Sequence, residues 1–264
     1  MPYLQEKNIF KYLNFIEKYF INNNLLVAFC SLTLSIETFL LFKKDINIFY
    51  LIVIFFSTYI AYNFLRNHFI NYFYLLVLFL SILILFFYFY ITFFNLILLG
   101  ILGIIVYLYY IKIRMFPFIK IFIVGFCWAI FTVFFPLNLD LPTFYLFVQN
   151  KKFMIYFIIR IIFISSLVIP FDIKDIYMDN KIGLKTIPSF LGEKKSKYIA
   201  ILMLIFNIII LYKYNHFFKF IIINHIYTIF LLIFFNENKP DIYVSGLIES
   251  SMITELIFYF INTL

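Results

Sequence analysis

Apolar stretches of spanning length follow one another along this chain with almost nothing polar between them. A bilayer-crossing helix needs about 20 mostly apolar residues. Nine stretches qualify, near residues 25–42, 47–65, 72–90, 92–110, 116–135, 153–171, 197–213, 217–235 and 243–262. The third and fourth run together, but about 40 apolar residues is twice the bilayer thickness, so they divide into two helices. With 65% of residues apolar and 13% charged, water cannot solvate the chain as a globule. The pattern predicts an all-α, multi-pass transmembrane helical bundle of about nine helices, in which residues 1–264 form a single integral membrane domain.

The first 24 residues differ. Glu6, Lys7, Lys11, Glu17, Lys18 and three consecutive asparagines do not match the basic start and cleavage site of a signal peptide. Ile9, Leu13, Ile16 and Phe20 fall at helical spacing opposite the charges, so residues 1–24 fit an amphipathic helix lying in the interface. The net charge of +8 reports orientation rather than a nucleic-acid partner. With the N-terminus in the cytoplasm, that side collects the greater share of the 21 basic residues, which predicts N-terminus in, C-terminus out.

Cys30 and Cys127 fall inside predicted spans and read as small apolar side chains. The 41 Phe and 22 Tyr, together with many Ile, Asn and Lys, reflect A/T-rich codons, so the aromatic excess is no binding signature.

Polar residues concentrate in one segment, residues 170–197, which reads PFDIKDIYMDNKIGLKTIPSFLGEKKSK. Asp172, Asp175 and Asp179 stand at i, i+3 and i+7, within a sector of about 60° on one helix face. Two carboxylates about 6 Å apart repel by about 3 kcal/mol at an effective dielectric of about 20, so such a face calls for a cation. A hard divalent ion such as Mg2+, held by carboxylates and by the phosphates of a substrate, meets that need. Lys181 and Lys185 follow closely enough to grip the same phosphates. The bland alternative is a solvated cytoplasmic loop in which Lys174 partners the aspartates.

The stretch DIKDIYMDNKIGLKTIPSFLG resembles the second aspartate-rich motif of the UbiA family of intramembrane prenyltransferases, with Lys181, Gly183, Thr186, Pro188 and Gly192 at matching positions. The family's first motif, NDxxDxxxD, corresponds to YNFLRNHFIN, which keeps only the leading Asn63 and has Phe64, Asn67 and Asn71 where the family has aspartates. YYIKIRMFP, around Lys112 and Arg114, resembles the family's loop after the fourth helix.

This resemblance implies a UbiA-prenyltransferase-like fold and transfer of an isoprenoid chain from a prenyl diphosphate to a small aromatic acceptor, as in quinone biosynthesis. It implies Mg2+ as cofactor and Asp172, Asp175 and Asp179 as catalytic metal ligands, with Asn67 and Asn71 as weaker or outer ones. Asn63, Asn67, Lys112, Arg114, Lys181 and Lys185 then bind the diphosphate, membrane lipid surrounds the protein, and a bacterial cytoplasmic (inner) membrane is the expected location. Two alternatives stand beside it: a family member that binds isoprenoid lipid without catalysis, and a transporter.

Glu37, Arg160, Glu249 and Glu255 lie at membrane depth, where charges are costly and pair within a bundle. Arg160 is expected to bridge a glutamate; the alternative is that Glu37 or Glu249 lines a cavity. His216 and His225 lack metal-ligand spacing and read as packed or interfacial residues.

Overall fold

The computed structural model describes residues 21, 23–65, 80, 83–84, 91–111, 115–181, 183–214 and 218–263, and all regular structure among them is helical. In chain order the helices are α1 (Leu25–Leu41), α2 (Ile48–Leu65), α3 (Phe93–Ile111), α4 (Pro117–Ala129), α5 (Leu141–Gln149), α6 (Lys151–Lys174), α7 (Ile176–Lys181), α8 (Ile187–Tyr212), α9 (Lys219–Phe234) and α10 (Ser251–Thr263). Wider π-helical turns, Ile130–Phe134 and Tyr243–Ile248, extend α4 and precede α10. Every predicted span has its helix except 72–90, which lies largely outside the described residues, as does the proposed interfacial helix at the N-terminus. Two short helices, α5 and α7, were not among the expected spans.

The segments Ile48–Leu65, Lys151–Lys174, Ile187–Tyr212 and Tyr243–Thr263 are each long and apolar enough to cross a bilayer alone; the other apolar helices are shorter. Only α6 is enclosed: 72% of its most apolar window is buried, against 28–33% in the other three. It is the axis of the bundle. The outer helices turn Leu202, Phe206, Ile209, Ile226, Phe230 and Ile233 outward. On a protein in water so many exposed apolar side chains would drive association, whereas hydrocarbon is their natural solvent.

Local chemistry sets the helix ends. The Asn150 side chain accepts from Lys152 N at 3.0 Å and starts α6, and Asp140 Oδ1 accepts from Thr143 N at 2.9 Å and starts α5. The Thr143 hydrogen bonds hold the Asp140 carboxyl below its usual range. Packing against the axis is close where α4 meets α6. A Cβ on Gly125 would lie 2.3 Å from Ser165 Oγ and 2.5 Å from Ile161 O, so only glycine lets these backbones approach this closely.

One end of the bundle gathers the polar turns. Asn24, before α1, donates to Asn63 near the end of α2 (3.1 Å), and Gly246 approaches Ile21. Lys174, ending α6, meets Asp241 at 3.0 Å and the carbonyl of Lys239 at 2.6 Å. Lys197 Nζ reaches the carbonyl of Phe235 at 2.9 Å. The segment from Asp172 to Lys185 belongs to this end.

Candidate functional site

The geometry of the aspartate segment follows from its local sequence. Pro170 removes one helix hydrogen bond from the last turns of α6. At Asp175 the backbone leaves helical geometry (φ −90°, ψ 2°), although helical bonding continues across it from Asp175 N to Phe171 O (3.0 Å) and from Asp179 N to Asp175 O (2.8 Å). Helix α7 closes when Leu184 N bonds Asp179 O at 2.8 Å and Gly183 N bonds Asn180 O at 3.2 Å, with Gly183 at φ 73°. This is a Schellman stop, which needs a left-handed residue at that position. Ser189 Oγ then accepts from Thr186 N at 2.8 Å to open α8 over Pro188, and Gly192 at φ 77° bends it. Each glycine and proline of the motif thus has a backbone task.

The three aspartates do not share one uninterrupted helix face, because the break at Asp175 separates Asp172 on α6 from Asp179 on α7. Asp172 and Asp179 are buried, at 3% exposure each, while Asp175 is exposed. Nor does Lys174 serve them; it turns to Asp241 and the carbonyls of Glu237 and Lys239. The partner of Asp172 is Lys120 on α4, whose Nζ stands 2.5 Å from Asp172 Oδ1. Asp172 Oδ2 and Asp179 Oδ2 are buried without a hydrogen-bond partner among the described residues. Two such oxygens suit a hard cation. Among the described residues no three His, Cys, Asp or Glu side chains close around a metal-sized space by themselves.

Other expected residues are placed unevenly. Asn63 is buried, its amide donating to Tyr59 O at 2.8 Å and accepting from Asn24. Lys181 is exposed at the end of α7, and Lys185 is exposed with Nζ 5.9 Å over the Phe190 ring. Asn67, Asn71, Lys112 and Arg114 lie outside the described residues.

Sequence reasoning missed Lys120 and Asn24 as site residues. Lys120 left a signal, being the one charged residue between 116 and 135 in an otherwise apolar predicted span. Asn24 sits in a run of asparagines that carries no pattern.

A second polar cluster lies deep in the bundle. Arg160 Nη2 contacts Glu37 Oε1 at 3.0 Å, and Nη1 contacts Glu255 Oε1 at 3.2 Å. Tyr156 donates to Glu37 Oε1 at 2.9 Å and also contacts Arg160, and Asn224 donates to Glu255 Oε2 at 3.0 Å. Asn207 meets His225 Nε2 at 3.1 Å, and that ring stacks on Phe163. All of these polar residues are buried.

No protein-family model and no curated protein sequence matches the chain. A solved structure of a digeranylgeranylglyceryl phosphate synthase in membranes does share its fold, with a TM-score of 0.56 over 96% of this chain and 98% of that one. The fold is UbiA-prenyltransferase-like. At 20% identity the likeness is one of architecture. Together with the apolar helices, it makes the chain an integral membrane protein. In this UbiA-like bundle Lys120, Asp172 and Asp179 lie on α4, α6 and α7, at the end where α1 and α2 are joined through Asn24 and Asn63.

Proposed function

We propose that the protein is a UbiA-like prenyltransferase, moving an isoprenoid chain from a prenyl diphosphate to a small aromatic acceptor within the membrane. The observation that carries this reading is the pair of buried carboxylate oxygens, on Asp172 and Asp179, without a partner among the described residues, at the polar end of a bundle with this fold. A buried carboxylate is costly; Lys120 meets part of that cost at Asp172, and a cation that accompanies the substrate would meet the rest.

Asp172, Asp175 and Asp179 would hold Mg2+, with Asn67 and Asn71 as weaker ligands. The ion would supply Lewis-acid neutralisation of the departing diphosphate. The chain's own groups act around that site. Asn63, fixed by Tyr59 and Asn24, presents an amide that cannot swing away. Lys181, exposed at the end of α7, and Lys185 would offer positive charge to the arriving diphosphate, and Lys112 and Arg114 would add to it. Burial of Asp172 and Asp179 keeps bulk water from the carboxylates that would hold the ion. In this reading the polar end faces the cytoplasm of a bacterial inner membrane.

A second reading, a family member that binds isoprenoid lipid without turnover, draws on the loss of carboxylates at Phe64, Asn67 and Asn71. The test incubates purified protein with labelled prenyl diphosphates, Mg2+ and a panel of aromatic and glyceryl phosphate acceptors. A prenylated aromatic product supports the first reading. A prenylated glyceryl phosphate alone replaces the acceptor, and diphosphate binding without product from folded protein favours the second reading.

A further inference from the structure

We propose that Lys120 is a resident cation of the diphosphate site, filling by its ammonium a charge position that a second metal ion would otherwise take. The inference rests on the prenyltransferase reading above and names a residue outside the aspartate motifs.

Lys120 lies in the first turn of α4, flanked by Ile119 and Ile121, with only apolar or uncharged residues through Phe134. A lysine so set is tolerated at the edge of a bilayer either by reaching outward to water or by turning inward to a counter-charge. Lys120 turns inward. It is 6% exposed, while Phe118, Ile119 and Phe122 beside it face out. The 2.5 Å contact to Asp172 Oδ1 joins α4 to α6 directly.

Before substrate enters, Asp172, Asp175 and Asp179 bring −3, and Lys120 reduces this to −2, which one divalent ion cancels. Without Lys120 one divalent ion would leave the substrate-free carboxylates at −1, and the segment that resembles the first motif offers Asn63, Phe64, Asn67 and Asn71 but no carboxylate with which to hold a second ion. Oxygen supply agrees: Lys120 occupies Asp172 Oδ1, leaving Asp172 Oδ2 and Asp179 Oδ2 buried and without a partner among the described residues. A fixed ammonium also remains in place when no substrate is present, so the carboxylates are never an uncompensated cluster in the membrane. Lys120 thus acts as a positioning and charge-compensating residue, setting how Asp172 faces the metal.

The test titrates purified protein with Mn2+ alone, counting bound ions by the electron paramagnetic resonance of free Mn2+, so that it reads the metal site and not activity. Wild type is expected to bind one ion. Lys120→Gln, which frees Asp172 Oδ1 and removes a nearby positive charge, binds Mn2+ about tenfold more tightly or takes up a second ion. Lys120→Arg, which keeps the charge but engages both Asp172 oxygens through a planar fork, binds Mn2+ more weakly than wild type. If Lys120→Gln does not fold, Lys120→Arg decides. Wild-type affinity and stoichiometry in the folded variants overturn the role of Lys120 while leaving the prenyltransferase reading intact. Failure of wild type and variants alike to bind Mn2+, both alone and with pyrophosphate added, overturns both.

Discussion

Arg160 Nη2 lies 3.0 Å from Glu37 Oε1 in the enclosed centre of the bundle, and the same guanidinium reaches Glu255 Oε1 at 3.2 Å. One side chain on the axial helix α6 therefore clasps α1 and α10, the first and last described helices. Glu37 is fully buried, with Oε1 engaged by Arg160 and Tyr156. Removing one partner leaves charge stranded in a low-dielectric interior, at a cost of about 3 to 5 kcal/mol. Arg160→Met should lower the melting temperature sharply in detergent. Arg160→Met combined with Glu37→Gln and Glu255→Gln should recover most of the loss, because a neutral cluster strands nothing. A triple variant as unstable as the single one would show that the charges themselves hold the helices.

Gly125 sets the distance between α4 and α6. The Cβ of an alanine there would meet Ser165 Oγ at 2.3 Å and Ile161 O at 2.5 Å. A hydroxyl can rotate away, but a backbone carbonyl cannot, so the helices must separate. Gly125→Ala should cost about 3 kcal/mol, the upper end of overpacking penalties. Adding Ser165→Ala should restore little of it. Thermal unfolding of the single and double variants measures both values, and full rescue by the second change would place the clash on the hydroxyl alone.

Much of this architecture was legible because length and hydropathy are enough to place apolar helices; every expected span with described residues is helical. Helix interruptions were less visible. The reading of Asp172, Asp175 and Asp179 as one face assumes an unbroken helix, and a periodicity count carries no sign that the backbone leaves helical geometry at Asp175. Pairing across helices was the other gap. Lys174 is nearer to the aspartates in sequence, yet Lys120, 52 residues before Asp172, is the partner, because helix packing rather than chain proximity decides which charges meet. Arg160 was legible as a residue in need of a glutamate, since a lone charge at membrane depth has few other options.

Gly183 ends α7 in the left-handed region at φ 73°, where a Cβ would meet no neighbour. Any penalty there is conformational and not a clash. Gly183→Ala should cost about 1 to 2 kcal/mol, and Gly183→Asn distinctly less, because Asn tolerates this region. Equal melting temperatures for the two variants would mean that the turn relaxes out of the left-handed conformation.

Asp172 and Asp175 should separate stability from binding. Asp175 is exposed, so Asp175→Ala should change stability by no more than about 0.5 kcal/mol. Under the proposed function it should still weaken magnesium-dependent pyrophosphate binding at least about tenfold, since even groups outside the ligand shell of a metal are worth that much. Asp172→Asn should do both, because it strips Lys120 of its buried counter-charge at about 3 to 5 kcal/mol as well as removing a ligand. Calorimetric titration with pyrophosphate and Mg2+, run beside thermal unfolding, reads the two effects separately. Equal pyrophosphate affinity in wild type and Asp175→Ala would remove the aspartate segment from the binding site, and an unchanged melting temperature in Asp172→Asn would show that Lys120 finds water when its partner is lost.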